Sequence, residues 1–453
     1  MASISTNYDP TTTAQALATS STAARQESLT RQTTAAATTV KALTTLGSTL
    51  TTFQNTLASL SGVNKTMSAN SAIFSDTAVA SATASSSAAA GSYAFFVDKV
   101  ASAQKVSFSG LTDFAAGGTL TFGVGSASFN VPLTGSAPWT VRDLAAAING
   151  ASGNTTLSAS VVTTTTAGVA TSELVLSSKL TGEQNTISVT TTGTSLDGLL
   201  DFADQHELSP AQDAEVYIGA KGGTLIKQAS NTLNVIDGVT MTLTQAQAAG
   251  SAPVTLTVGT DTAKTTANVQ AFVDAYNKMK AAVDGLVAPG DPTSGSSAGA
   301  FASDSGVRSL RDRMVSLLRG AGATSLASFG ILATRDGTLS LDSTRLTKAL
   351  ATNPTGLDTL IGSAASATPT GIAGQLQTYL KVWTNSVNGQ IGSRKDAIGK
   401  LQMTLTDRQT TLDRQYDSAY ARYLAQFTKL QSIQSSMSYN TSLFDAMFSN
   451  SKD

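Results

Sequence analysis

Apolar residues near the amino terminus of this 453-residue chain recur at alternating intervals of three and four positions. The stripe consists of Leu43, Leu46, Leu50, Phe53, Leu57 and Leu60, with Leu29 and Ala36 upstream. This spacing places the side chains on one face of a helix that packs along a second helix. The intervening residues are mostly Thr, Ser, Gln and Ala, so few charge pairs stabilise the helix by itself. Two alternatives follow, a helix of a local bundle or one leg of an oligomeric stalk.

A second stripe lies near the carboxyl terminus. Ile398, Leu405 and Leu412 are seven residues apart, and Leu401 lies between them. The phase then advances by four residues, a change that locally unwinds a coiled coil. The stripe continues through Tyr416, Tyr420, Tyr423, Phe427, Leu430 and Met437. We therefore expect helical legs at both ends, whose packing or oligomer contacts are made by Leu43, Leu46, Leu50, Phe53, Leu57, Leu60, Leu401, Leu405, Leu412, Tyr420, Tyr423, Phe427 and Leu430.

Between the two ends the pattern changes to alternation with a period of two. Apolar residues alternate with Thr over 239–243 and 254–258, which predicts an antiparallel hairpin. A helix is predicted over about 262–287, and the Asp-Gly pair within 331–341 predicts a second hairpin. In a smaller unit near 118–192, short strands flank a helix that Thr140 and Asp143 open with a capping box.

These patterns predict an α+β multidomain chain. It has a helical coiled-coil stalk from both termini, a central α+β head domain, and one or two small inserted β-rich domains. The predicted boundaries are 1–66 for the N-terminal leg, 67–95 with 231–370 for the head, 96–230 for the inserted outer part, and 371–453 for the C-terminal leg.

Composition excludes most enzyme chemistry. Charged residues make up 13% of the chain, against about 25% in ordinary soluble proteins, and the net charge of −1 gives no field for nucleic acid or an acidic membrane. The chain has no cysteine and one histidine, which excludes thiolate zinc sites and multi-histidine metal sites. No long apolar run predicts a membrane span, and the first 24 residues lack the apolar core of a secretory signal peptide.

The remaining motifs do not support a reactive site. His206-Glu207 is followed by Pro210 where a zinc-protease pattern needs a second histidine, so His206 is interpreted as a surface residue. Gly123-Val124-Gly125 is followed by a strand instead of the helix of a dinucleotide site. We predict no catalytic residues, no metal and no cofactor.

Several segments, in order along the chain, resemble the bacterial flagellar filament cap family, also called hook-associated proteins of the distal tip, or FliD. They are SSSAAAGSYAFFVDKVASAQKV (85–106), TVRDLAAAIN (140–149), LVLSSKLTGEQNTISV (174–189), SNTLNVIDGVTMTL (230–243), VQAFVDAYN (269–277), SFGILATRDGTLSLD (328–342), LTKALATNPTGLDTLI (346–361) and RYLAQFTKLQSIQSSM (422–437). The segment around 118–192 is similar to the small repeated domain of flagellin and hook-associated proteins. The last stretch, TSLFDAMFSNSKD, departs from the family's usual Gln-Leu ending.

The resemblance implies a structural protein at the extracellular, distal tip of the flagellum. Such proteins are exported unfolded through the flagellar type III channel without a cleaved signal peptide. They form a ring of about five copies, within a range of about four to six, whose mismatch with the filament lattice leaves one gap in which flagellin folds. The implied partners are other copies of the chain, flagellin, hook-filament junction proteins and a cytosolic export chaperone.

Two alternatives stay open beside the filament cap. The first is another axial protein, such as a junction protein or flagellin. The second is an adhesin that binds host mucin or glycans through the Thr-rich outer part, roughly 96–230, which is compatible with a cap because the cap is outermost. Neither alternative involves nucleic acid or a membrane.

Overall fold

The computed structural model describes residues 9–166, 169–197, 200, 205–291, 293, 295–318, 325–365 and 367–449. The first eight residues of the predicted N-terminal leg and the last four of the predicted C-terminal leg lie outside these described residues.

Long helices occupy both ends of the described chain, and most strands lie between them. The helices are α1 (Pro10–Ser61), α2 (Val141–Gly150), α3 (Thr262–Val287), α4 (Ser305–Leu318), α5 (Ser343–Thr352), α6 (Gly356–Ile361), α7 (Gly371–Thr384) and α8 (Gln390–Ser449), with a short 3-10 turn at Leu326–Phe329. The strands are β1 (Ala69–Phe74), β2 (Ala80–Ala84), β3 (Gly91–Lys99), β4 (Ala103–Phe108), β5 (Thr119–Val124), β6 (Ala127–Pro132), β7 (Leu157–Thr166), β8 (Val169–Thr181), β9 (Ile187–Thr192), β10 (Gln205–Ser209), β11 (Ala214–Ile218), β12 (Thr224–Gln228), β13 (Thr232–Ile236), β14 (Val239–Leu243), β15 (Val254–Asp261), β16 (Ile331–Ala333) and β17 (Leu339–Leu341).

The chain folds as two compact units. The first unit combines Met1–Met67 with Thr266–Asp453, and the second is Ser68–Thr265. The first unit is mainly helical, and its core brings the second half of α1 together with α3, α4, α5, α6 and α7 and the β16–β17 hairpin. Helix α8 packs along α1 within this unit.

The second unit contains two separate apolar cores. One core lies between a five-stranded sheet, ordered β1-β15-β3-β11-β12, and a three-stranded sheet, ordered β13-β14-β2. The other is enclosed by a four-stranded sheet (β10-β4-β8-β7), a three-stranded sheet (β6-β5-β9) and α2. All of these strand pairs are antiparallel, and the side chains that alternate inward from the strands fill the cores.

Several local structures predicted from the sequence are present in the fold. Thr140 accepts a hydrogen bond from the Asp143 N–H, and Asp143 accepts one from the Thr140 N–H, so the predicted capping box at α2 is confirmed. The predicted helix over 262–287 is α3, and the predicted hairpin over 331–341 is β16–β17. Asp9 caps α1 by accepting from the N–H groups of Thr11 and Thr12, directly before the helix begins at Pro10.

The predicted hairpin between 239–243 and 254–258 is wrong. Both segments are strands, but β14 pairs with β2 and β13, whereas β15 pairs with β1 and β3. Each strand buries its apolar face in the same core from a different sheet. The alternating pattern encodes that burial and carries no information about the neighbouring strand.

The fold class is confirmed as α+β and multidomain, with terminal helices that pack together. The domain boundaries stay predictions. Segments of the predicted head domain occur in both compact units, because its strands before Thr265 share the sheets of the second unit and its later helices share the core of the first.

Candidate assembly interface

The first half of the predicted interface lies inside the first unit. Leu43, Leu46, Leu50, Phe53 and Leu57 are all buried, and Leu60 is half-buried against the same core. The Phe53 ring lies 6.4 Å from the ring of Phe272 and 6.2 Å from that of Tyr276, both on α3. Of the two alternatives for this stripe, the helix of a local bundle describes it, because α3 and α7 supply the opposing apolar surface.

The first half of α1 has a different partner, helix α8. The two helices are antiparallel, since Arg25 donates to Gln415 at 2.7 Å and Gln26 and Gln409 exchange two hydrogen bonds of 3.2 and 2.9 Å. Between these contacts and the core, a small cluster joins the two helices. It consists of Leu29, Ala36, Leu405 and Leu412, with Ile398 packed against it. Leu405 and Leu412 therefore contact α1 of their own chain.

Aromatic side chains continue this face of α8 beyond Leu412. Tyr420, Tyr423 and Phe427 are half-buried, and the ring of Tyr420 is stacked on that of Tyr416 with centroids 6.5 Å apart. The guanidinium of Arg422 lies 5.1 Å from the centroid of the Tyr423 ring. Along this stretch α1 offers small buried residues such as Ala14 and Ala18, which leave room for the rings.

Two predicted interface residues remain open to solvent. Leu401 and Leu430 are each 42% exposed. Leu401 lies beside the seven-residue series of buried positions, three residues after Ile398 and four before Leu405, at the exposed edge of the helix pair. Leu430 lies beyond the stretch that α1 covers, since α1 begins at Pro10.

The exposed apolar surface extends further than the sequence prediction. Large exposed side chains occupy the last described turns of α8, namely Leu430, Ile433, Met437, Tyr439, Leu443, Phe444 and Met447. Ile433, Phe444 and Met447 were not among the predicted contacts, although their spacing from Leu430 and Met437 continues the alternation of three and four. We call the face formed by Leu430, Ile433, Met437, Phe444 and Met447 the α8 end stripe; Tyr439 and Leu443 lie outside it.

A charged cluster lies at the other end of α8. Arg394 donates from both terminal nitrogens to Asp304, at 2.7 and 3.3 Å, and its guanidinium lies 5.3 Å from the ring centroid of Trp383. The Asp304 carboxylate also accepts from the Val307 N–H at the start of α4. Partial burial acts to raise the pKa of Asp304, but the hydrogen bonds from Val307 and Arg394 outweigh it, so this pKa lies below its usual value.

The described residues contain no cluster of acidic, histidine or cysteine side chains suited to a metal ion. His206 lies on β10, exposed, opposite Ser107 of β4. Burial raises the pKa of Tyr276, whose hydroxyl donates to the Gly337 carbonyl, so this phenol serves packing in the neutral form. No helix among the described residues is both long and apolar enough to cross a bilayer.

The fold and this interface define a structural assembly protein. Its distinctive surface is a long helical pair with an exposed apolar end.

Comparisons with known proteins specify the class. Models of the flagellar hook-associated protein 2 N-terminus and C-terminus match residues 6–104 and 211–439, and the flagellin hook IN motif matches 119–180. The chain is 32% identical over 368 residues to the lateral flagellar hook-associated protein 2 of Vibrio parahaemolyticus, covering 78% of this chain and 80% of that protein. It is 27% identical over 415 residues to the B-type flagellar hook-associated protein 2 of Pseudomonas aeruginosa, covering 86% and 85%.

A solved structure gives the same result. The flagellar cap protein FliD from Escherichia coli, in its D1-D2-D3 domains, superposes with a TM-score of 0.63 at 25% identity, covering 79% of this chain and 99% of that one. The chain belongs to the flagellar hook-associated protein 2 family, the FliD filament cap proteins. It is thus a non-enzymatic structural component of the filament tip, as the sequence predicts.

Proposed function

We propose that this chain forms a ring of about five copies at the filament end and guides exported flagellin subunits into place. Family membership supports the location, and the α8 end stripe supports the mode of action. In this function the paired helices α1 and α8 act as a leg that packs reversibly against the helical ends of axial subunits.

The α8 end stripe is the observation that carries this proposal. A contiguous apolar surface on a solvent-exposed helix is typical of a site that another protein covers. Ile433, Met437 and Phe444 are 48%, 64% and 60% exposed, and Lys429 and Asp445 are the charged residues nearest to them in this stretch. A nearly uncharged apolar face fits an amphipathic partner helix, and the helical ends of flagellin are the proposed partner.

A matched pair of double variants tests this contact. Ile433→Asp with Met437→Asp places two charges on the stripe, whereas Ser435→Asp with Ser442→Asp places the same two charges on the opposite side of α8. Because all four side chains are exposed, both proteins should fold with unchanged thermal stability. Cells with the stripe variant should release flagellin as monomer and build few filaments, and cells with the control should swim. Normal filaments with the stripe variant would refute the contact.

Self-association is the second element of the proposal. With 13% charged residues, subunit contacts between the sheet domains should be apolar and uncharged polar rather than ionic. Rings should therefore persist at about 1 M salt, where the Debye length is about 3 Å. Negative-stain images of the purified protein would count the subunits, and complete dissociation to monomers at that salt concentration would contradict this mode of association.

Export completes the proposed function. We infer that the chain leaves the cell through the flagellar type III channel, escorted by a cytosolic chaperone, and meets the hook-filament junction proteins before flagellin. The absence of cysteine suits this route, because no disulfide can form in transit. Loss of the protein from the medium of a mutant that lacks the export channel is the expected result, and continued secretion would exclude the route.

A further inference from the structure

The buried contact between α1 and α8, which we call the seam, includes Leu29, Ala36, Leu405 and Leu412. Its buried positions repeat every seven residues on both helices. On α1 the buried positions Thr22, Leu29, Ala36 and Leu43 are seven apart. On α8 the same interval separates Ile391, Ile398, Leu405, Leu412 and Ala419. Sliding one helix by seven residues, about 10.5 Å, returns buried positions to buried positions, all of them apolar except Thr22. The seam alone therefore specifies its register weakly.

The polar contact between Gln26 and Gln409 shares this ambiguity, whereas the contact of Arg25 with Gln415 does not, because Arg408 lies seven residues before Gln415. Gln26 and Gln409 exchange side-chain hydrogen bonds, but Gln402 lies seven residues before Gln409 and can take its place after such a slip. Opposite the aromatic side chains of α8, α1 carries small residues such as Ala14 and Ala18. No large side chain at these two positions would block a movement of α8 along α1.

The connection before α8 contains enough chain for such a movement. Asn385 to Gly389 link α7 to α8 in a folded turn, in which the Asn385 side chain accepts from the Val387 N–H and its carbonyl accepts from Gly389. Five extended residues reach about 17 Å, so this turn can open to accommodate a displacement of one heptad.

The Arg394 cluster does not repeat. Its guanidinium is held by a two-pronged contact with Asp304 on one side and by the Trp383 ring on the other, and both charged side chains are 28% exposed. In the slip that brings Gln402 to the position of Gln409, the residue that reaches the place of Arg394 is Val387, which can replace neither the charge nor the fork. Any heptad slip therefore breaks this contact without a substitute.

Gly306 leaves space for the Arg394 guanidinium. A Cβ atom at Gly306 would lie 2.6 Å from an Arg394 terminal nitrogen, closer than such atoms approach. The glycine is in the first turn of α4, where alanine would otherwise favour the helix. The missing side chain thus makes room for the guanidinium.

We propose that the cluster of Arg394, Asp304, Trp383 and Gly306 is a register lock, which holds α8 at one of several heptad positions along α1. Release of the lock lets α8 advance by one heptad toward the start of α1 while the apolar seam re-forms. Such a ratchet of one helix along another is a known form of protein switching.

Spin-label distances test the lock. The chain has no cysteine, so Thr19→Cys on α1 and Lys400→Cys on α8 give two unique labels at exposed sites. With the lock intact we expect one distance. Arg394→Gln, and separately Asp304→Asn, should add a population displaced by about 10.5 Å. The matched control Lys395→Gln removes a neighbouring exposed charge and should keep one distance.

Three results would overturn the proposal. They are a single unchanged distance in both folded lock variants, a displaced population of equal size with the lock intact, or the same displaced population in Lys395→Gln. Arg394→Lys, which keeps the charge but loses the fork, provides a milder variant if the others fail to fold, and it should show the displaced population as well.

A second measurement separates the lock from general stability. Gly306→Ala should accelerate amide hydrogen exchange at residues 390–398 by about tenfold or more, because the added Cβ forces the guanidinium to shift away from its position beside Asp304. In the Arg394→Gln background the same substitution should leave exchange unchanged or slow it, since alanine then favours α4. Equal acceleration in both backgrounds would show that Gly306 acts independently of Arg394 and would refute its part in the lock.

Discussion

Three asparagine side chains each make a pair of hydrogen bonds to the backbone N–H and carbonyl of one residue. Asn149 exchanges a pair of hydrogen bonds with Ala159, Asn231 with Ala101, and Asn277 with Leu339, at 2.7–2.9 Å in every case. Each amide donates to the carbonyl and accepts from the N–H of one residue, so it joins two segments that are at least ten residues apart in the sequence. Asn149, Asn231 and Asn277 all fall within the segments that resemble the family, but no local pattern in the sequence distinguishes such an amide from a surface asparagine.

Asn277→Asp tests the importance of this pairing. A carboxylate can accept from the Leu339 N–H but cannot donate to its carbonyl, and it brings a charge to a partly buried site. We expect a loss of about 1–3 kcal/mol in the free energy of unfolding, measured by denaturant titration. The exposed loop residue Asn388 provides the control, because Asn388→Asp should change stability by less than about 0.5 kcal/mol. Equal effects at the two sites would contradict the assigned role.

Asp304 makes stability depend on acidic pH in a defined direction. The pKa of the Asp304 carboxyl is lowered from 3.8 in the folded chain. Its contribution to the free energy of unfolding is therefore complete at pH values above the pKa of the unfolded chain, and it is lost as the pH falls through the lower pKa of the folded chain. Asp304→Asn should therefore be less stable than the native chain at pH 7, and this difference should shrink below about pH 4. Denaturation midpoints between pH 7 and pH 3 measure it, and a difference that stays constant throughout would be inconsistent with the pairing to Arg394.

At the scale of elements, α1 shows what a heptad pattern can and cannot predict. Its stripe predicted a helix that needs an apolar partner, and the helix is present from Pro10 to Ser61. The second half packs into a bundle with α3 and α7, whereas the first half pairs with α8. Spacing specifies a face to be buried but not the element that buries it, since any amphipathic helix satisfies the same requirement.

Two leucines of α8 provide a matched test of the seam. Leu405 is 2% exposed and Leu401 is 42% exposed, four residues apart on one helix. Leu405→Ala should cost about 2–5 kcal/mol of unfolding free energy and loosen hydrogen exchange along α8, because it opens a cavity between the helices. Leu401→Ala should cost less than about 1 kcal/mol, since little of its surface is buried. If the two substitutions were equally costly, the assigned face of α8 would be wrong.

Strand pairing illustrates a related limit. The alternation over 239–243 and 254–258 correctly predicted two half-buried strands, yet these are β14 and β15 of different sheets. Asp336-Gly337, in contrast, predicted the β16–β17 pairing correctly, because a short turn fixes which strands can meet. Long connections leave the partner to the tertiary fold.

At the scale of the whole molecule, the segment between Ser102 and Gln212 in the second unit begins and ends at two residues that are paired with each other. Ser102 and Gln212 exchange backbone hydrogen bonds of 2.9 and 3.2 Å, so the chain leaves and returns at adjacent residues. The intervening segment forms its own core with α2 and the sheets around it. This arrangement agrees with an inserted domain that folds around a separate core.

Replacement of residues 104–210 by a short Gly-Ser linker should leave the remaining chain folded. The two other main cores keep all of their buried members, because none of these residues falls inside the excised segment. We expect circular dichroism to retain the helical signal and denaturation to stay cooperative. An insoluble product, or gradual unfolding without a transition, would mean that the insertion supports the rest of the second unit.

Much of the architecture could be predicted from local signals. The terminal helices, the capping box of α2 and the overall fold class follow from spacing and capping, and the ordered family segments indicate the filament cap. The Arg394 cluster could not be predicted, since Asp304, Trp383 and Arg394 are far apart in the sequence and only the fold brings them together.

Location at the distal filament end is the central claim, and it can be observed directly. Ser136→Cys introduces one thiol at an exposed site between β6 and α2, which a gold-maleimide label can find on intact cells. Electron microscopy of the filaments should then show gold at the free distal tip and nowhere else along their length. Gold distributed along the shaft, or confined to the junction with the hook, would contradict the assignment of this chain as the filament cap.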